Sequence, residues 1–293
     1  MQNPKRMSKQ TTLQKILHFS LTKMIVGIAV VGGAVVLGEW LSRLLLETTQ
    51  IANELINSIV GITDCLLALV SYILLFKFYE KRQLKELRLS AFTKNALIGF
   101  FAGMILQSLA ILVIYLSGDY SIVRVNPFSF LLPAFTVALT AGFVAEILIR
   151  GIIFRLMEEK LGTVFALVIS ALLFAMVHIG SKGATILSIL SVAIQAGVLL
   201  AAAYVFSRSL WLCIFLHFAW DFAEPGIYGA INPGNTIEKS LFTSKITGPE
   251  LLTGGQFGPQ SSIQSIIFCL VTAILFLWLA KRKNNFITPY WKK

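Results

Sequence analysis

Charge is what this sequence has least of. Only 13% of its 293 residues are Asp, Glu, Lys or Arg, about half the share usual in a soluble domain. Hydrophobic residues make up 56%, and the mean hydropathy is +0.79. A chain of this length cannot fold so much apolar surface into one soluble core, so lipid is its solvent. Cysteine is scarce too. Cys65, Cys213 and Cys269 all lie in hydrophobic runs and form no CxxC pair. That excludes a zinc ribbon and a disulfide framework and leaves three small packing residues. Internal repeats, low-complexity tracts and a strand-like alternation are all missing. Acidic residues are outnumbered, 14 against 25 Lys and Arg, for a net charge of +11. This basicity does not imply nucleic-acid binding. The basic residues fall in short segments between hydrophobic runs, the positive-inside pattern of a membrane protein.

What is present is a series of eight hydrophobic segments long enough, or nearly so, to span a bilayer: roughly 24–46, 51–76, 95–117, 129–154, 162–179, 184–206, 209–223 and 262–280. The fold class expected is therefore all-α, a polytopic transmembrane bundle of about eight helices, with 1–293 forming a single integral membrane domain. The basic N-terminus (Lys5, Arg6, Lys9, Lys15) precedes an apolar run too long for a cleavable signal peptide, so the run is expected to be the first membrane helix. With both termini cytoplasmic, nineteen Lys and Arg fall inside and five outside, which sets the expected orientation. The charged stretch from Lys77 to Lys94 is expected to be an interfacial cytoplasmic helix in contact with water or headgroups. The loop 224–261, punctuated by Pro225, Pro233, Gly254-Gly255 and Gly258-Pro259, reads as irregular. Gly99 and Gly103 form a GxxxG, which permits close helix packing.

Ionisable groups inside spanning helices cost several kcal/mol unless they pair or line a wet cavity. Glu146 and Arg150 are four apart on one helix face and can pair, as a structural ion pair or as part of a site. His178 ends Phe174-Ala-Met-Val-His178, where a hydrogen-bonded core histidine is the plainer reading. His217 and Asp221 are again four apart and project the same way. That spacing suits an interhelical clamp, an oriented imidazole, a metal ligand set or a proton relay. Depth links the three. If segments four and five turn near Gly162, Glu146 and His178 stand at equal distance from the turn. Arg155 is nine residues from Glu146 and Arg208 nine from His217, about 14 Å of helix in each case. Three helices thus bring scarce polar groups to a similar depth.

In this order the motifs resemble those of the CPBP family, intramembrane proteases related to type II CAAX prenyl endopeptidases, bacteriocin-processing proteins and abortive-infection proteins. The family pattern is Glu-Glu-x-x-x-Arg, then Phe-x-x-x-His, then His-x-x-x-Asn or Asp. Here Phe174 with His178 and His217 with Asp221 complete the second and third motifs. The first reads Ala145-Glu146-x-x-x-Arg150. The resemblance is close over about 129–223, the expected protease core. It implies peptide-bond hydrolysis with a catalytic set of Glu146, Arg150, His178, His217 and Asp221. It also implies a glutamate base or a zinc ion, with His178, His217 and Glu146 as the possible metal ligands. Ala145 departs from the pattern, standing where the family has the leading candidate for water activation. Three readings of it stay open: Glu146 takes over, the chain is a natural non-catalytic member, or the alanine is a deliberate inactivation.

The expected partners are the lipid bilayer and a peptide or lipidated-protein substrate, with no nucleic acid. The expected location is the cell membrane, with several passes. The expected function is an intramembrane endopeptidase cleaving a membrane-associated or prenylated peptide, impaired at Ala145. The alternatives are a non-catalytic membrane scaffold or bacteriocin-immunity factor, and a transporter with a buried His/Asp/Glu site.

Overall fold

The computed structural model describes residues 17–181, 183–230 and 239–292. The basic residues Lys5, Arg6, Lys9 and Lys15, together with Lys182, Pro233 and Lys293, lie outside these ranges. In chain order come α1 (Ser20–Leu46), α2 (Asn53–Phe78), α3 (Phe92–Leu116), β1 (Tyr120–Val125), α4 (Leu131–Glu146) and α5 (Arg155–Val177). They are followed by α6 (Ile186–Val192), α7 (Leu200–Ser207), α8 (Leu210–Phe222), β2 (Phe242–Ile246) and α9 (Ile263–Arg282). Lipid offers no hydrogen bonds, so apolar runs of this length close their backbone bonds internally as helix.

Six helical runs are long and apolar enough to cross a membrane. One of them, Phe128–Val177, contains two of the expected segments. The chain reverses inside it at Gly162, whose φ is +78°. A Cβ there would sit 2.7 Å from the Pro289 nitrogen and 2.8 Å from the Ile287 carbonyl oxygen, so glycine is needed for both the backbone angle and the space. The remaining expected segment is α8, lengthened by a π-helical turn, Ala223–Ile227. The chain is an all-α, multi-pass membrane protein, and its apolar outer faces meet the bilayer.

Three π-helical stretches interrupt the regular helices: Ile147–Phe154 between α4 and α5, Ala193–Leu199 between α6 and α7, and Ala223–Ile227 after α8. A π turn loosens the backbone ladder and leaves carbonyls for side chains to use. Helix α8 is held close on two sides. At Gly99 and Gly103 of α3 an added Cβ would run into the backbone of Leu212 and Leu216, and at Gly142 of α4 it would lie 2.8 Å from the Ile214 carbonyl oxygen. The GxxxG of α3 therefore brings two backbones together, and α8 is the helix it packs against.

Two expectations need correction. Strands do occur: β1 and β2 pair antiparallel, with Tyr120 opposite Ile246 and Val125 opposite Phe242. They lie more than a hundred residues apart, so no hairpin signal marks them. The stretch from Lys77 to Lys94 is not one interfacial helix, although Lys77, Lys81, Lys85, Arg88 and Lys94 are exposed. It holds two single 3-10 turns, Lys85–Leu87 and Leu89–Ala91, and a buried polar cluster. Glu86 accepts from the Tyr72 hydroxyl at 2.6 Å and from Arg82 at 2.7 and 3.0 Å. Glu80 pairs with Lys23, Arg82 and Arg155 at 3.1, 2.7 and 3.0 Å. Burial works against the charge on Glu86, but the hydrogen bonds and charge of Arg82, with the Tyr72 hydroxyl, hold its carboxyl below the usual range. Burial likewise opposes the charge on Glu80, and Arg155 and Lys23 overcome it. The cluster ties the start of α1, the end of α2 and the start of α5 together at one end of the bundle.

Candidate active site

Glu146 is the last residue of α4, fully buried, and the π-helical stretch begins immediately after it. One of its oxygens, Oε1, accepts from Arg150 Nη1 at 2.9 Å and from His217 Nδ1 at 2.9 Å. Its other oxygen, Oε2, is buried without a hydrogen-bond partner. Arg150, also fully buried, donates onward to the carbonyls of Ala196 and Gly197. Those carbonyls lie in the π-helical Ala193–Leu199, so one widened turn supplies the arginine and another supplies its acceptors. His217 Nε2 lies 3.3 Å from Asp221 Oδ2. Both ring nitrogens thus face carboxylate oxygens, which suits a doubly protonated ring. The result is one chain of contacts, Asp221 to His217 to Glu146 to Arg150, crossing from α8 to α4 and on to the wall between α6 and α7.

His178 joins this chain through an aromatic ring. It closes the C-terminus of α5, and its Nδ1 contacts the Phe174 carbonyl oxygen at 3.0 Å. A carbonyl only accepts, so Nδ1 carries a proton and Nε2 is left free of this contact. The imidazole stacks on Phe174 with centroids 5.3 Å apart, and the Arg150 guanidinium lies 5.2 Å from the same Phe174 ring. The π-helical Ala193–Leu199 packs against α5 because Gly197 has no Cβ. An added one would sit 2.7 Å from the Ala171 Cα.

Ala145, His178, His217 and Asp221 all line one cavity of about 890 Å³ bounded by α1, α2, α4, α5, α6 and α8. Glu146 does not line it, but its carboxylate bonds the lining residue His217. Of the residues expected to form the site, Glu146, Arg150, His217 and Asp221 are joined by direct contacts. His178 shares the cavity and the Phe174 ring. Ala145 presents a methyl group to the cavity.

The metal expectation does not fit this arrangement. Among the described residues, no three His, Cys, Asp or Glu side chains stand where they could hold a metal ion. Both His217 nitrogens face carboxylates, and Glu146 is fully buried and does not line the cavity. His178, His217 and Glu146 therefore do not assemble as a zinc set.

Residues 127–223 match the family model for Rce1-like proteins, described as type II CAAX prenyl endopeptidase Rce1-like. These residues are similar to that family. Curated proteins and solved structures gave no match. The Rce1-like segment covers α4 to α8, and with them all five linked residues and Ala145. It is about a third of the chain, and α1, α2, α3 and α9 surround it.

Four polar residues near the site were not expected. Asp64 of α2 and Gln195 line the cavity, as does Gln260 from the long loop. Gln195 Nε2, with two hydrogens to give, lies within hydrogen-bond reach of Ser191 Oγ at 2.7 Å, Ser265 Oγ at 3.1 Å and the Gln260 carbonyl. Glu224, fully buried in the π turn after α8, accepts from the Gln260 backbone at 3.0 Å. These bonds draw the loop into the cavity wall. Asp64 and Gln195 are polar residues inside hydrophobic runs and are visible as such in the sequence. Glu224 and Gln260 sit in a loop, where polarity is ordinary.

Proposed function

We propose that this chain is a membrane-embedded endopeptidase of the Rce1-like type. It acts on a membrane-associated or prenylated peptide, with turnover held low by Ala145. The observation that supports this best is the bonded Glu146–His217 pair, carried by two helices and set at the wall of a cavity inside the membrane.

Peptide hydrolysis needs a base for water, a donor for the developing oxyanion and a proton for the leaving amine. His178 Nε2 can hold a water from the cavity side. His217, once Asp221 yields at Nε2, can donate to the carbonyl oxygen, while Glu146 holds Nδ1. The base is the weak point. The only unengaged oxygen of Glu146 is fully buried on a residue that does not line the cavity, and the neighbouring position that does line it carries a methyl group. A carboxylate at 145 would stand in the cavity itself. The excess of Lys and Arg supports an orientation with both termini, and the Glu80 and Glu86 cluster, on the cytoplasmic side.

The engagement of Glu146 also favours a second reading: a non-catalytic protein that uses the same cavity to bind a peptide partner. One experiment separates the two. Ala145→Glu and unaltered protein are incubated with a farnesylated C-a-a-X peptide and with a pool of hydrophobic leader-type peptides, and products are read by mass spectrometry. The protease reading expects the variant to cleave at least about a hundredfold faster. A variant that binds these peptides but cuts none would leave the binding reading standing.

A further inference from the structure

Asp64 is the one cavity-lining acid that forms no ion pair among the described residues. It lies in the middle of α2, only 4% exposed, and its Oδ1 is buried with no hydrogen-bond partner. Glu39 pairs with Arg43 at 3.0 Å, Glu54 pairs with Lys239, and Asp221 meets His217. The charged groups that act on Asp64 are Glu39 and Arg43, which already serve each other. A lone carboxylate within the bilayer is costly.

Its depth follows from the packing of α2 on α4. Thr136 Oγ1 bonds Ser58 Oγ at a sequence offset of 78, Thr140 Oγ1 bonds the Gly61 carbonyl at 79, and the Tyr72 hydroxyl bonds the Gly151 carbonyl at 79. A constant offset means the helices run parallel. Asp64 is therefore level with residue 143, about 3 Å along the axis from Ala145. It stands on a different wall of the cavity that His178 and His217 also line.

We propose that Asp64 is a specificity-determining residue: it receives the Lys or Arg side chain of a membrane-bound peptide while the backbone of that peptide lies against the two histidines. The inference rests on the peptide-substrate reading above. A cationic side chain brings into the membrane the charge that Asp64 lacks, so each group offsets the cost of burying the other.

The test uses the full chain in nanodiscs and two N-acetylated leucine-rich peptides of about 20 residues. One carries a single central Lys and the other norleucine at that place, so the side chain is the only cation. Binding is read by fluorescence anisotropy. The Lys peptide is expected to bind at least about tenfold tighter, Asp64→Asn to abolish that preference, and Asp64→Glu to keep it. Equal binding of the norleucine peptide by all three proteins shows that the variants are folded. If unaltered protein and Asp64→Asn treat the two peptides alike, the Asp64 assignment is wrong and peptide binding survives. If neither peptide binds the unaltered protein, the peptide-substrate reading fails and takes this inference with it.

Discussion

Arg150 is the residue on which the site's electrostatics turn. Its guanidinium, wholly buried, answers Glu146 at 2.9 Å and two backbone carbonyls. Removing one partner of a buried pair leaves the other charge uncompensated. Arg150→Leu is therefore expected to cost about 3 kcal/mol of stability, read as a lower unfolding temperature in detergent. Arg150→Lys should not rescue it, because an ammonium cannot reproduce the planar fork that reaches three acceptors. A leucine variant as stable as the parent would contradict this assignment. The linked residues were legible in the sequence because each is an expensive group in an apolar run, and because two of the three motifs repeat a charge at i+4. Asp64 carried the same signal singly, with no polar residue four positions away, and Gln195 had only the uncharged Ser191 there. His178 was legible, but its attachment to Arg150 through the Phe174 ring was not, since stacking leaves no mark in a linear pattern.

At the scale of elements, the site depends on how closely α8 approaches its neighbours. Gly99→Val should destabilise the protein by about 2 kcal/mol and displace His217, because its side chain would collide with the backbone of Leu212 and Leu216. Gly33→Val is the matched control, since nothing lies within 4 Å of a Cβ added there. Folded yield after solubilisation should fall for the first and hold for the second; equal yields would refute the packing argument. The helices themselves were readable from hydropathy, including the turn at Gly162. The π-helical stretches were not, because an inserted residue leaves the apolar composition unchanged. The strands escaped for another reason: Phe242–Ile246 is five residues long, and its partner lies across five intervening helices. Composition cannot show that Tyr72 and Arg82 hold a buried Glu86 within the largely exposed Lys77–Lys94 stretch. Interrupted helices at the site would also suit a transporter, but such folds relate their broken helices by an internal repeat, and the sequence has none.

The whole molecule is a bundle with a charged clamp at one end and a cavity reaching the other. Glu80 and Glu86 form the clamp with Lys23, Arg82 and Arg155. Arg208 forms a second tie there, donating to Glu158 at 2.5 and 3.0 Å and to the Asn285 carbonyl. Because the Glu80 and Glu86 carboxyls titrate lower in the folded protein than in the unfolded chain, the stability they add is present above the ordinary carboxylate range. It is lost as pH falls through their lowered values. Unfolding temperature should therefore drop on acidification, and Glu86→Gln should flatten that drop; an unchanged pH profile in the variant would remove Glu86 from the clamp. The central claim is that Glu146 and His217, carried by separate membrane helices, are bonded to each other. A double-mutant cycle of unfolding with Glu146→Gln and His217→Leu tests it without reference to any substrate. A coupling of at least about 1 kcal/mol is predicted, and strictly additive losses would contradict the claim.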